Sequence, residues 1–287
     1  HIIPTGIYYS HYWKFNRTVI VNFGDPIRVK DFLDQYHEDT AAATISLKTK
    51  IFEAILPLVI HIKSKNHYDD FEKIRELYGH HYLNRQKKPF SEWNLFQSDR
   101  QLVQQLDKLE AEKPEETEQL VREVNAFYHH VYNLKIRNWL VAESPHQLFK
   151  LMQNLLLLFV GFPLFIFGFL FNALPFFTID RAVRKKVKDF SFWSTFFLGA
   201  GLILFPLFYL LEVLAVTPIL PGLIPKILFL ISLPFAGKFA FWWTIRFRKT
   251  MGRWRWIRLK FFRPGIQKKV LKQKENLYQK LDKLIPS

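Results

Sequence analysis

Ten histidines and no cysteine set the reach of side-chain chemistry in this 287-residue chain. The absence of Cys excludes a disulfide framework, a Cys-ligated zinc and a Cys nucleophile. His80-His81 and His129-His130 are adjacent pairs. Neighbours in a helix point to different faces, so neither pair makes a joint metal site, and both read as surface or core histidines. In His67-Tyr68-Asp69-Asp70-Phe71-Glu72 a carboxylate follows a His by five positions. The stretch is a polar helix start, where Asp69 or Asp70 is expected to cap the helix. Glu212 ends a long apolar run, and interfacial solvation of this acid competes with a buried functional role. There is no Gly-rich phosphate loop, no H-E-x-x-H and no G-x-S-x-G. On its own motifs the chain offers no catalytic residue and no metal site.

The elements that would position any chemistry fall into two unlike halves. Hydrophobic content of 49% with a mean hydropathy of −0.03 excludes a disordered chain. Net charge is +16, but residues 1–150 hold 20 basic and 20 acidic side chains. Residues 178–189 supply +3 and residues 246–287 supply +12, and both stretches abut apolar runs. Leu151–Ile179 carries no charge over 29 residues, and Phe190–Leu211 carries none over 22. About 20 residues span a ~30 Å hydrocarbon core, so residues 146–245 read as a membrane module. Spans are expected at 192–213 and 226–245, separated by a Pro-rich turn over 217–225.

A full crossing by 151–177 would put the basic linker (Arg181, Arg184, Lys185, Lys186, Lys188) and the basic tail on the face opposite residues 1–150. The positive-inside rule favours cations in the cytoplasm. A re-entrant or interfacial hairpin over 151–177 resolves this, breaking near Gly161-Phe162-Pro163 and again near Asn172-Ala173-Leu174-Pro175. The soluble parts are then all cytoplasmic. The tail, 246–287, interleaves cations with aromatics from Arg253 to Arg263 and reads as an anchor on anionic lipid. Nucleic acid is the competing partner for such a mixture, and adjacency to a span decides for lipid.

In the neutral half, Ile2–Ser10 and Thr18–Phe23 are rich in β-branched and aromatic residues and read as strands, joined by the polar connection 11–17. Two strands do not make a stable sheet alone, and the chain opens at His1 inside an apolar run. Residues 1–30 are therefore expected to close a sheet begun upstream, in a longer protein. Helices are predicted at 31–36, 40–62 with a kink at Pro57, 69–78, 92–112 and 114–141, which makes residues 31–145 a cytosolic helical region.

Ile3-Pro4-Thr5-Gly6-Ile7, a polar connection, and then Val19-Ile20-Val21-Asn22-Phe23-Gly24-Asp25-Pro26-Ile27 resemble the end of a phospholipid/glycerol acyltransferase domain. Residues 169–175 and 188–193 resemble a hydrophobic C-terminal region found in a subgroup of that family, whereas 28–150 resembles it only diffusely. The resemblance implies an α+β remnant of an acyltransferase α/β domain, followed by helical segments and a C-terminal α-helical membrane module. It implies transfer of a fatty acyl chain from acyl-CoA or acyl-carrier protein to a glycerol-phosphate or lysophospholipid acceptor, with no bound cofactor and no nucleic acid. Ile3, Pro4 and Ile7 would line the acyl-substrate region, although Thr5-Gly6 departs from an all-apolar strand. An edge-strand proline is the other account of Pro4. The family's base is a His in His-x-x-x-x-Asp, and Phe-Pro-Glu-Gly helps to bind phosphate. No His here has Asp five residues on, and Phe-Pro-Glu-Gly is absent. Both motifs precede the Ile3-Pro4 strand in the family, so this chain alone is expected to be inactive. A non-enzymatic membrane scaffold or a transporter piece with a cytosolic helical domain is the alternative.

Overall fold

A computed structural model describes residues 1–10, 18–141 and 146–286, so the connection 11–17 lies outside the described residues. The chain is mostly helical and folds as two units, residues 1–134 with 268–287, and residues 135–267.

The first unit opens with β1 (Thr5–Tyr9) and β2 (Val19–Phe23), paired antiparallel with Ile7 opposite Val21. The pairing extends to Ile2 and Ile27, which exchange backbone hydrogen bonds of 2.9 and 2.8 Å. Among the described residues no third strand joins the ribbon. Helices α1 (Leu33–Glu38) and α2 (Thr40–Ile55) follow, the latter capped by Asp39, whose carboxylate accepts from Ala41 and Ala42 N–H. Pro57 ends α2 instead of kinking it: a 3-10 turn over Leu56–Leu58 gives way to extended backbone at Val59.

Three long helices build the core: α3 (Tyr68–Arg85), α4 (Glu92–Glu112) and α5 (Pro114–Asn133). Phe71, Ile74, Tyr78 and Tyr82 on α3, Phe96, Leu102 and Leu106 on α4, and Leu120, Val124 and Phe127 on α5 are buried at i, i+3/i+4 spacing. Ser91 caps α4, and Pro114, Glu115 and Glu116 open α5. Helix α5 stops at Asn133, short of the expected 141, and Lys135 takes a left-handed φ of 52°. Asp69 and Asp70 do not cap α3. The N-cap position is His67, and Asp70 instead binds Lys73 and Asn125. The last helix, α10 (Pro264–Leu284), completes this core with Leu277 and Leu281 and is tied to α3 by Tyr78–Asp282 and Tyr278–Leu77 hydrogen bonds.

The second unit holds α6 (Gln147–Val160), α7 (Phe162–Lys186), α8 (Trp193–Val216) and α9 (Leu223–Phe262). Three of these, α7, α8 and α9, are long and apolar enough to cross a bilayer, which marks the chain as membrane-associated. The module differs from the expected hairpin. Its first break falls at Gly161, as expected, but α7 runs unbroken through Asn172 and Pro175. Pro175 removes one N–H from the ladder, and three residues before it the Asn172 amide bonds the Gly168 carbonyl at 2.9 Å and reaches the Leu233 carbonyl of α9 at 3.2 Å. The segment 226–245 is only part of a 40-residue helix, so the basic-aromatic stretch after Arg253 continues α9 with Trp256 and Ile257 buried. The stretch 246–287 is accordingly divided, with its last 20 residues in the first unit.

Candidate functional site

The three residues expected to line an acyl site sit on one ribbon but do not share a face. The inner face, Gly6, Tyr8 and Asn22, lies against the first unit. Asn22 donates to the Leu58 carbonyl at 2.9 Å. The outer face carries Ile3, Ile7, Val19, Val21 and Phe23, all exposed, Phe23 at 70%. Pro4 is buried, and its carbonyl accepts from Gly24 N–H at 2.8 Å. Ile3 and Ile7 therefore stand on an open apolar surface, while Pro4 turns the strand against Gly24. The polar break at Thr5-Gly6 has a structural cause. A Cβ on Gly6 would lie 2.5 Å from Leu58 Cβ and overlap its carbonyl, so only glycine lets the ribbon seat there.

Beside the outer face, Val21, Phe23, Pro57, Leu58 and Trp93 line a cleft of about 540 Å³ with Asn22, Gln97 and Arg100. Trp93, Gln97 and Arg100 are one helical stripe of α4, and Arg100 donates to the Pro57 carbonyl. An apolar wall closed by one cation and two amides suits an amphiphile with an anionic or polar head.

Behind the ribbon lies a charge network that no sequence motif announced. Arg75 donates to Asp99 Oδ2 at 2.9 Å, to Glu72 Oε2 at 2.6 Å and to the Tyr8 hydroxyl at 3.1 Å. Burial pushes Asp99 up to about 6, against the opposing pull of Arg75. Burial alone would lower the Arg75 pKa, but Glu72 and Asp99 hold it well above the usual value. Burial also raises the Tyr8 pKa. Asp99 Oδ1 has no hydrogen-bond partner among the described residues and faces Gly79, where a Cβ would overlap it. The only signals in the sequence were Gly79 inside a helix and Asp99 on a buried stripe. The network locks β1 to α3 and α4.

The histidines are scattered. His80 stacks on Phe90, His81 meets Asp282 at 3.3 Å, and His130 pairs with Gln273 at 2.9 Å. His67 contacts Asp70 at 3.5 Å and Glu118 at 3.2 Å. Among the described residues no three His, Asp or Glu side chains gather as metal ligands. In the second unit, Asn172 joins three helices: it reaches α9 at Leu233, and the Tyr209 hydroxyl of α8 donates to its Oδ1 at 2.7 Å. Glu212, one turn beyond Tyr209, has an enclosed Oε2 with no partner among the described residues.

No family model matches this chain, and no curated protein or solved structure is similar to it.

Proposed function

We propose that this chain is the membrane-anchored, substrate-side part of an acyltransferase that moves a fatty acyl group from acyl-CoA or acyl-carrier protein to a glycerol-phosphate or lysophospholipid acceptor. The observation that carries the reading is the ribbon. The two stretches that resemble the family pair in register through Ile2–Ile27, and they present Ile3, Ile7, Val21 and Phe23 as an uncovered apolar face next to the Arg100 cleft. Such a surface binds an acyl chain by burial alone, at about 0.8 kcal/mol per methylene. Attack of an acceptor hydroxyl on the thioester carbonyl needs a positioned general base, which takes the hydroxyl proton as the thiol leaves. No histidine of residues 1–287 has the family's Asp spacing, so that base is assigned outside them. The soluble parts are read as cytoplasmic, from the net +12 carried by residues 246–287 next to the apolar helices.

The test uses a photoactivatable acyl-CoA and the detergent-purified chain. Adducts should map to residues 1–27 or to Trp93–Arg100, and I7E/F23E should abolish them. Labelled acyl transfer to glycerol phosphate or lysophosphatidate should be undetectable with this chain alone. Adducts confined to the membrane helices, or turnover that one His substitution removes, would overturn the proposal. A scaffold would give no adduct on the ribbon.

A further inference from the structure

The first unit supplies acids to its helical arginines, with one exception. Arg75 meets Glu72 and Asp99 at 2.6 and 2.9 Å, Arg85 meets Asp282 at 3.3 Å, and Arg122 meets Glu118 at 3.8 Å. Arg100, in the middle of α4, meets no carboxylate among the described residues. Its Nη1 donates to the Pro57 carbonyl, and its Nε is enclosed without a partner. One turn away along α4 stand Phe96, Gln97, Val103 and Gln104, so no acid reaches it from its own helix. The connection 11–17 contains no Asp or Glu either. A guanidinium carries five N–H donors and a permanent charge. Partly buried and matched with one neutral acceptor, Arg100 is a cation whose counter-ion the chain does not provide.

The cleft of about 540 Å³ beside the ribbon is where this cation lies, and none of its lining residues is acidic. The bond to Pro57 fixes Arg100 at one end. Trp93, seven residues earlier on the same stripe, stands about 10 Å away along α4. Phe23 and Trp93 are 70% and 48% exposed, and Leu58 completes the apolar wall. That wall is held from behind. Asn22 bonds the Leu58 carbonyl at 2.9 Å, and the backbone at Gly6 and Gly24 abuts the Leu58 side chain. Gln97, one turn before Arg100, adds an amide to the charged end and has no hydrogen-bond partner among the described residues.

A guanidinium fork pairs with two oxygens of a carboxylate or phosphate, and it does so more strongly beside apolar surface than in open water. A bare anion would leave Trp93 and Phe23 in water. A neutral chain would leave Arg100 without an anion. A thioester donor is uncharged where its acyl chain ends and carries its phosphates far down the carrier. The cleft instead matches a molecule whose charge and chain adjoin.

We propose that this cleft takes a single-chain amphiphile with an anionic head, held by Arg100 and Gln97 while Trp93, Phe23 and Leu58 cover the chain next to it. The ligand's role rests on the acyltransferase reading: there it is the phosphate-bearing acceptor, and Arg100 is the residue that selects it. A free fatty acid presents the same pair of oxygens and is separated from the acceptor by experiment.

The full chain in nanodiscs of neutral phosphatidylcholine is titrated by calorimetry, with empty discs as the blank. The ligands are a monoacylglycerol phosphate, the fatty acid and the monoacylglycerol of the same short chain, and inorganic phosphate. The anionic amphiphiles should bind about 10- to 100-fold more tightly than monoacylglycerol, as expected for hydrogen bonds to a charged group. The tighter of the two identifies the head, and inorganic phosphate should bind more weakly than either. R100Q should remove the preference and leave monoacylglycerol binding unchanged. Q97E places a carboxylate one turn from Arg100, supplying the missing counter-ion while keeping the guanidinium and its Pro57 bond, and should remove the preference as well. If R100Q disturbs the turn at Pro57 and loses every ligand, Q97E decides. W93A should weaken all three amphiphiles alike.

Equal binding of anionic and neutral amphiphiles, a preference that survives R100Q or Q97E, or inorganic phosphate binding as tightly as the lipid phosphate would overturn the inference. So would amphiphile binding that W93A leaves intact. Monoacylglycerol binding that W93A removes, with no preference among heads, would sink this inference and leave the acyl surface standing. Binding of none of the amphiphiles would remove both.

Discussion

Gly168 is the sharpest point at which to test the membrane module. A Cβ added there would sit 2.7 Å from the Ala236 carbonyl carbon and 3.1 Å from Ala240 Cβ, and would overlap the Ala236 carbonyl oxygen. Carbon atoms in contact rest at about 3.5 to 4.0 Å, so G168A forces α7 and α9 apart by roughly 1 Å. Backbone blocks the path, and no flexible side chain can swing away. Overpacking of this kind costs about 1 to 3 kcal/mol, while Gly to Ala within a helix returns up to about 1 kcal/mol. The net expectation is a loss of about 0 to 3 kcal/mol. Gly199 on α8 provides the control, because nothing lies within 4 Å of its Cβ position. G199A should be neutral or gain up to about 1 kcal/mol. Unfolding of the intact chain by SDS titration in mild detergent reads both, using tryptophan fluorescence. Trp243 is well placed to report, being stacked on Phe165 at 4.0 Å and on Phe247 at 5.4 Å in the same interface. Equal midpoints for G168A and G199A would refute close packing of α7 on α9.

The Asn172–Tyr209 bond should show a coupling of about 0.6 kcal/mol, and not above about 1.7, in a double-mutant cycle of N172A and Y209F by the same titration; zero coupling would mean that α8 does not dock there. G6A should detach the ribbon from Leu58, read as faster proteolysis within residues 1–27 while the α3–α5 core stays protected. Asp99 carries a pH signature: its folded pKa of about 6 lies above the ordinary value of 3.8, so the native state holds the proton more tightly. Its contribution is most favourable below about pH 4, declines by about 3 kcal/mol as pH rises to about 6, and is constant above that. The stability difference between the native chain and D99N should follow that curve, and a difference that stays flat from pH 4 to 7 would contradict it. Membrane association should survive high salt and carbonate, because burial of Leu151–Ile179 does not depend on screening; release by salt would remove the spanning reading.

Much of this architecture is local and was therefore legible in the sequence. Charge-free runs of 29 and 22 residues announce a membrane module because the cost of burying charge in hydrocarbon depends on composition and length, not on neighbours. The bounds Glu92–Glu112 and the start at Pro114 follow from Ser91 and proline chemistry within a few residues of each helix end. The two strands likewise show their β-branched composition. Tertiary contacts decided the rest. Pro175 reads as a break, yet α7 runs through it, and the seating of Asn172 against Leu233, 61 positions away, has no signal in the sequence. Gly6 reads as a flaw in an apolar strand until Leu58 is found where a Cβ would stand. Arg75 and Asp99 are ordinary charges in the sequence, 24 residues apart, and become a buried pair when α3 and α4 pack. The return of residues 268–287 to the first unit is the largest such case: Tyr78 meets Asp282 and Tyr278 meets the Leu77 carbonyl only because the fold brings together segments about 200 positions apart. A sum over residues cannot carry that constraint, because it exists only once distant segments of the chain are held in one fold.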